Sequence, residues 1–296
     1  MSCKNIASPL KFQRYLGTLL FIIAWLGTGN LAAQDQPFAR FPDVSPDGSS
    51  VAFFFYFYIW IVPADGGTAR RLTVHEAYES HPKWNRAGDR IAFVSNRFGN
   101  DDIFVVSADG GKPERVTYHS TNDMVSDWTA DEKLAFTTRR VYNKVEWDTE
   151  IQTVDADGGT PVRFFNAFGS MPVFSQDGRQ VVYVQGYNRI YRKGYNGPAN
   201  KDLWSYDLKS KEFKQLTDFD GNDMFPHFTN TNEVLFLSER SGVHNLYRAQ
   251  LQPEGTFESA PEQITSFDDN GIRYFGVSDD GNTVIFERET GLFSLN

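Results

Sequence analysis

HEAYESH (His75–His81) comes nearest of any segment in this 296-residue chain to a catalytic motif. A zinc protease places two histidines one helical turn apart, with a glutamate between them as general base. Here Glu79 stands where the second histidine belongs, and the segment falls in a loop between strands. No metal is therefore expected there. DFDGND (Asp218–Asp223) has the alternating oxygens of a calcium loop, but its glycine comes fourth instead of sixth and the twelfth-position acid is missing. No G-x-S-x-G elbow offers a serine nucleophile. His119, His227 and His244 lie on different parts of the chain and share no carboxylate spacing, so they read as framework and not as ligands. The sequence suggests no catalytic residue, metal or cofactor.

One stretch does look like a binding element. VQGYNRIYRKGYNGPANKD (Val184–Asp202) mixes Tyr187, Tyr191 and Tyr195 with Arg189, Arg192 and Lys193. Aromatic and basic residues together can stack nucleotides, clamp a peptide carboxylate, or cap a channel and pack against a neighbouring domain. Charge bears on the first of these. Lys4, Lys11 and Arg14 precede the apolar run Tyr15–Gly27, and Leu31-Ala32-Ala33 offers a small-residue cleavage site. Residues 1–33 thus read as a secretory signal, too short in its apolar part for a span of about 20 residues. Its removal would take the net charge from −9 to −12 and remove Cys3, the only cysteine. An acidic surface of this kind disfavours nucleic acid and anionic membranes as partners. An exported, periplasmic or extracellular protein without disulfides is expected.

The elements that must position these residues follow from an internal repeat. PDVSPDG (Pro42–Gly48) recurs as PKWNRAG, SDWTADE, PVFSQDG, PHFTNTN and YFGVSDDG, with units starting near 42, 82, 126, 172, 226 and 274. Each is followed by two short apolar runs, and five of the six by a third, such as RRLT at 70 or KQLT at 214. Four strands in each unit of roughly 40–45 residues define a β-propeller blade. The prediction is an all-β, six-bladed propeller over 34–296. VAFFFYFYIWIV (Val51–Val62) then reads as two strands of blade one. Its two-residue turn is occupied by Tyr56 and Phe57, where Gly, Asn or Asp is usual, and a strained, aggregation-prone tip is expected.

Strands A (inner) to D (outer) alternate in direction, so A–B and C–D turns share one face while B–C and D–A loops share the other. The first face carries short turns such as PADGG, whose aspartates read as structural. On the second face loop length varies, up to the nineteen residues of Val184–Asp202, and binding usually resides in such loops.

With the repeats aligned, the chain from about Phe38 onward resembles the amino-terminal propeller of secreted tricorn-type serine proteases. The pattern of PxWSPDGxxIAF followed by ADGG is shared with TolB-type and prolyl-oligopeptidase propellers. RIYRKGYNGPANKDLWSYDLKSKEFKQLTDFDGNDMFPHF (Arg189–Phe228) is the more specific part. The resemblance implies a propeller that filters and guides unfolded peptides toward a catalytic domain located elsewhere, and no catalytic residue carries over to this chain. The alternative is a stand-alone periplasmic interaction propeller of the TolB kind. The strand spacing places blade six's outer strand at Asn30–Ala33, within the leader. Blade six is therefore expected to be incomplete, with an unpaired edge along Gly291–Leu295.

Overall fold

A computed structural model of the chain describes residues 3–5, 38–141, 148–189, 192 and 194–295. They form six antiparallel four-stranded sheets, each a blade. The inner strands are Arg40–Val44, Glu79–Trp84, Met124–Trp128, Ser170–Phe174, Asp223–Phe228 and Tyr274–Val277, and each contacts the next around a closed ring. Six apolar clusters fill the gaps between neighbouring sheets. Ile59, Ile61, Ile91 and Phe93 join blades one and two, for example, and Val51, Phe53, Ile285 and Leu292 join one and six. The near-continuous apolar B and C strands are explained by this arrangement, because sheets packed on both faces need apolar residues on both faces.

Two devices recur among the blades. In the A–B turns of blades one, four and six, an aspartate carboxylate (Asp47, Asp177, Asp280) accepts the N–H two residues on at 3.0 Å and a serine hydroxyl at 2.6 Å. These hydrogen bonds hold all three carboxyls below the usual range, so they are turn-formers. At the end of strand D, the hydroxyls of Thr73, Thr117, Thr217 and Thr265 accept the buried N–H that opens strand C (Ile59, Ile103, Leu203, Leu246) at 2.9–3.0 Å.

The aromatic turn is present as read. Phe55 pairs with Tyr58, and Tyr56 and Phe57 sit at φ 45° and 72°, 64% and 52% exposed. Two bulky left-handed residues are needed because the strand twist demands a turn with positive φ at both central positions.

Two expectations are corrected. Blade six draws only three strands from its own repeat, yet its edge is not bare: Cys3–Asn5 lies antiparallel on it, with Cys3 opposite Leu295 and Asn5 opposite Phe293. The proposed outer strand at 30–33, and the rest of the leader beyond these three residues, lie outside the described residues. Second, HEAYESH is not wholly a loop, because Glu79-Ser80-His81 opens the inner strand of blade two.

Candidate functional site

The repeat places two layers of side chains around the central axis. The last residue of each inner strand is the anchor of its repeat (Val44, Trp84, Trp128, Phe174, Phe228, Val277). One residue before it come Asp43, Lys83, Asp127, Val173, His227 and Gly276, and three before come Phe41, His81, Val125, Met171, Phe225 and Tyr274. Four inner strands carry a β-bulge in which a bulky residue adopts positive φ: Phe41 (52°), His81 (49°), Met171 (52°) and Phe225 (53°). Each of the four precedes a proline, which disfavours the helical alternative for its predecessor. Val125 and Tyr274 precede no proline and show no positive φ. A left-handed bulky residue costs about 1–3 kcal/mol, and four of them gathered around one axis mark a site held under strain.

At the B–C/D–A end of the axis, Phe41 stacks on His81 (centroids 3.9 Å apart) and meets Tyr274 edge-on at 5.7 Å. Phe225 meets the other side of Tyr274 at 4.9 Å. Below this cluster is a cavity of about 120 Å³ walled by Met124, Met171, Val173, Phe225 and Tyr274, with Lys83, Ser126 and His227 deeper. Lys83 is buried, donates to Asp43 Oδ1 at 2.7 Å and lies 5.6 Å from the Tyr274 ring centroid. Burial pulls this ammonium down, but Asp43 more than offsets it and the net direction is up. Asp43 also accepts the Trp84 N–H at 2.8 Å, and Asp127 accepts the Phe174 N–H at 2.9 Å, so each carboxylate ties one blade to the next. Burial pushes Asp127 up to about 6 against the pull of Arg86, and drives His81 down to about 3, with Lys83 and Arg40 adding to the effect. His227 is lowered by burial and then by Lys83. Both imidazoles are neutral at pH 7.

The A–B end is bridged by side chains. Arg86 of blade two reaches across the axis to blade four, where it donates to Gln176, to Phe174 O at 3.0 Å and to Ser175 O at 3.3 Å. Asp279 of blade six donates its N–H to Pro46 O at 3.1 Å, and its own carbonyl accepts the Asn230 N–H at 2.6 Å. A pocket of about 80 Å³ remains there, lined by Arg86, Asp127, His227 and Asp279. The two pockets share Lys83, Ser126, Val173 and His227, and the larger one opens on the B–C/D–A face.

That face is the apolar one. Of the eleven large apolar side chains exposed among the described residues, Phe38, Tyr56, Phe57, Val74, Phe98, Tyr118, Val141, Phe168 and Tyr187 lie on B–C or D–A segments, and none lies in an A–B turn. The blade-four loop belongs to the same face. Its root is tied down: Asn188 donates through its N–H to Ala199 O (2.8 Å) and through Nδ2 to Asn222 (3.1 Å). Gly186, at φ 103°, lets the chain pass so close to Asn200 O that any side chain there would collide. Of the residues singled out from sequence, Tyr187, Arg189 and Arg192 are exposed, and Arg192 covers the Tyr195 ring at 4.4 Å. Tyr191 and Lys193 lie outside the described residues.

Of the histidines, His75 and His119 accept backbone N–H groups two residues on, at 3.0 and 3.1 Å, and His244 sits by Glu239. His81 and His227, far apart in sequence, meet in one cavity. The signal for that was available in the repeat, since each falls at a fixed offset from its anchor.

Six four-stranded blades around a central channel define a β-propeller. The chain belongs to the family of the tricorn protease N-terminal β-propeller domain, which it matches over residues 36–296. It is 29% identical over 265 residues to tricorn protease homolog 1 of Streptomyces coelicolor, covering 88% of this chain and 23% of that protein. The crystal structure of the tricorn protease superposes with a TM-score of 0.75 at 19% identity, over 88% of this chain and 25% of that one. A putative TolB from Agrobacterium tumefaciens superposes with a TM-score of 0.64 at 17% identity, over 88% of this chain and 91% of its own. This chain thus spans about a quarter of the length of its tricorn relatives.

Proposed function

We propose that this chain is the non-catalytic, peptide-handling propeller of an exported tricorn-like serine protease. In this reading its partners are unfolded peptides and the protease domains that complete its relatives. The observation that carries the reading is the concentration of exposed apolar side chains on one face, around the open end of the channel. Monomer surfaces seldom gather apolar groups this way unless something docks there. Arg189 and Arg192 at the rim add positive charge in an otherwise acidic chain, which suits the carboxylates of peptides. The test is binding of a fluorescent unfolded peptide by the purified chain. Replacing Arg189, Arg192 and Lys193 with alanine should weaken binding severalfold and flatten its salt dependence, with the thermal midpoint unchanged. Unaltered binding with a lowered midpoint would assign the loop to packing. The TolB-like alternative, a stand-alone interaction propeller, draws support from the near-complete overlap with the Agrobacterium protein; it expects a folded partner and no preference for unfolded peptides.

A further inference from the structure

The channel holds a small pocket below its mouth on the apolar face and is crossed by Arg86 toward the opposite end, and this restricts how a peptide could use it. We infer that the pocket at the channel mouth receives one neutral, apolar side chain of an extended peptide, whose main chain stays outside across the mouth. The inference rests on the peptide-handling reading and specifies its substrate class.

Three observations carry it. The first is size. The pocket holds about 120 Å³, and a cavity of about 150 Å³ lined by apolar residues holds one benzene. A leucine-sized group fits, and a main chain does not. Beyond it Arg86 spans the axis to its partners on blade four.

The second is chemistry. The walls are chiefly thioether, aromatic and aliphatic, with Met124, Met171, Phe225 and Tyr274 above and Val173 beside them, and they include the hydroxyls of Ser126, Thr137 and Ser170. Methionines adapt to occupants of different shape. The charges at the floor already satisfy one another, Lys83 with Asp43 at 2.7 Å, and His81 and His227 are held neutral by burial. Lys83 is the one charged side chain in the lining: an entering cation would be repelled by it, and an entering anion would find it already held by Asp43. A charged side chain loses its hydration there without gaining a partner. A neutral apolar group avoids that cost.

The third is strain. Phe41, His81, Met171 and Phe225 hold unfavourable backbone at the rim, and the aromatic contacts among Phe41, His81, Tyr274 and Phe225 fix their rings around the opening. These side chains remain half-buried, reachable from the mouth. A rim that is rigid before binding loses less entropy on binding.

The experiment uses the full chain and capped pentapeptides that are glycine throughout except for a central Gly, Leu, Phe, Asp or Lys, with affinity read by calorimetry. The Leu peptide should bind at least about tenfold tighter than the Gly peptide, as burial of one apolar side chain requires, with the Phe peptide behind it because its ring exceeds the pocket. Asp and Lys peptides should bind no better than Gly. Ser170→Phe, which fills the pocket from its wall, should bring Leu and Phe peptides within about threefold of Gly. Phe225→Leu, which enlarges it, should shift preference from Leu toward Phe and guards against a misfolded first variant; the thermal midpoint of each is recorded. Peptides that bind equally whatever the central residue, or a preference that neither variant alters, would overturn the pocket assignment and leave peptide handling intact. No binding of any peptide would overturn both.

Discussion

Blade four contains a carboxylate whose partner is missing, and one substitution should restore it. In blade two, Asp102 opens strand C and is paired with Arg115 on strand D, Nη2 to Oδ2 2.7 Å. The equivalent residues of blade four are Asp202 and Gln215: Phe104 is opposite Arg115 in one register and Trp204 opposite Gln215 in the other. Arg115 Nε and Gln215 Nε2 even make the same hydrogen bond, to Thr117 O (2.8 Å) and Thr217 O (2.9 Å). Asp202 is left with a buried oxygen that has no hydrogen bond. Burial, followed by the negative charges of Asp223 and Asp218, pushes its carboxyl up to about 7. The unfolded value is about 3.9. From about pH 4 to 7 the folded state therefore binds the proton more tightly than the unfolded one, and stability falls as pH rises through that window. At face value the displacement is worth about 4 kcal/mol; because the side chain is only half-buried, solvent screening reduces this to about 1–2 kcal/mol. Gln215→Arg should recover that amount at pH 8 and change stability by less than about 0.5 kcal/mol at pH 4, where Asp202 is already neutral. Urea unfolding followed by tryptophan fluorescence at pH 4, 6 and 8 measures it. Asp202→Asn should reproduce the pH 8 gain, and adding Gln215→Arg to it should give nothing more. An equal gain at all three pH values, or a loss at pH 8, would refute the reasoning.

Two further outcomes are expected. Replacing Tyr56-Phe57 with Asn-Gly should stabilise the chain by about 1–2 kcal/mol, because left-handed backbone is strained for bulky residues, and should reduce turbidity on heating; a lower urea midpoint would contradict this. Thr117→Val should cost about 1–3 kcal/mol in the same assay, since the buried Ile103 N–H loses its acceptor. A neutral effect would show that the hydroxyl is not what holds strand C to strand D.

The blades and their order were legible in the sequence because their signals are local. Turn glycines, β-branched pairs and the closing threonine recur at constant offsets, and each is needed wherever a strand ends. The aromatic run of blade one could be resolved for the same reason: its sister segments are hairpins, and VIFERETGLFSL aligns with it without a gap. The channel was not legible, since its two layers draw one residue from each of six distant segments whose types differ from blade to blade. The positive φ before Pro42, Pro82, Pro172 and Pro226 was readable in principle from the repeated proline, but only with the bulge known. The pairing of Cys3–Asn5 with Phe293–Leu295 joins segments about 290 residues apart, and the first of them carries no repeat signal at all. The blade-four loop was found by its length and composition, while the bonds that tie its root to blade five depend on Asn188 and Asn222, whose contact no spacing reveals.

The offset of the two channel layers from the anchor residue also separates two duties within one repeat. Threonines, turn aspartates and glycines recur from blade to blade because every blade must close its own sheet. The layer positions need satisfy no strand, and they hold Asp, Lys, Asp, Val, His and Gly in one ring. A change at a position such as His227 rewrites one sixth of a ring while leaving the backbone ladders in place, whereas Asp43, Asp127 and Val173 also join neighbouring blades. Six copies of one unit therefore amount to a combinatorial lining, in which the pocket's chemistry can drift without the architecture having to follow.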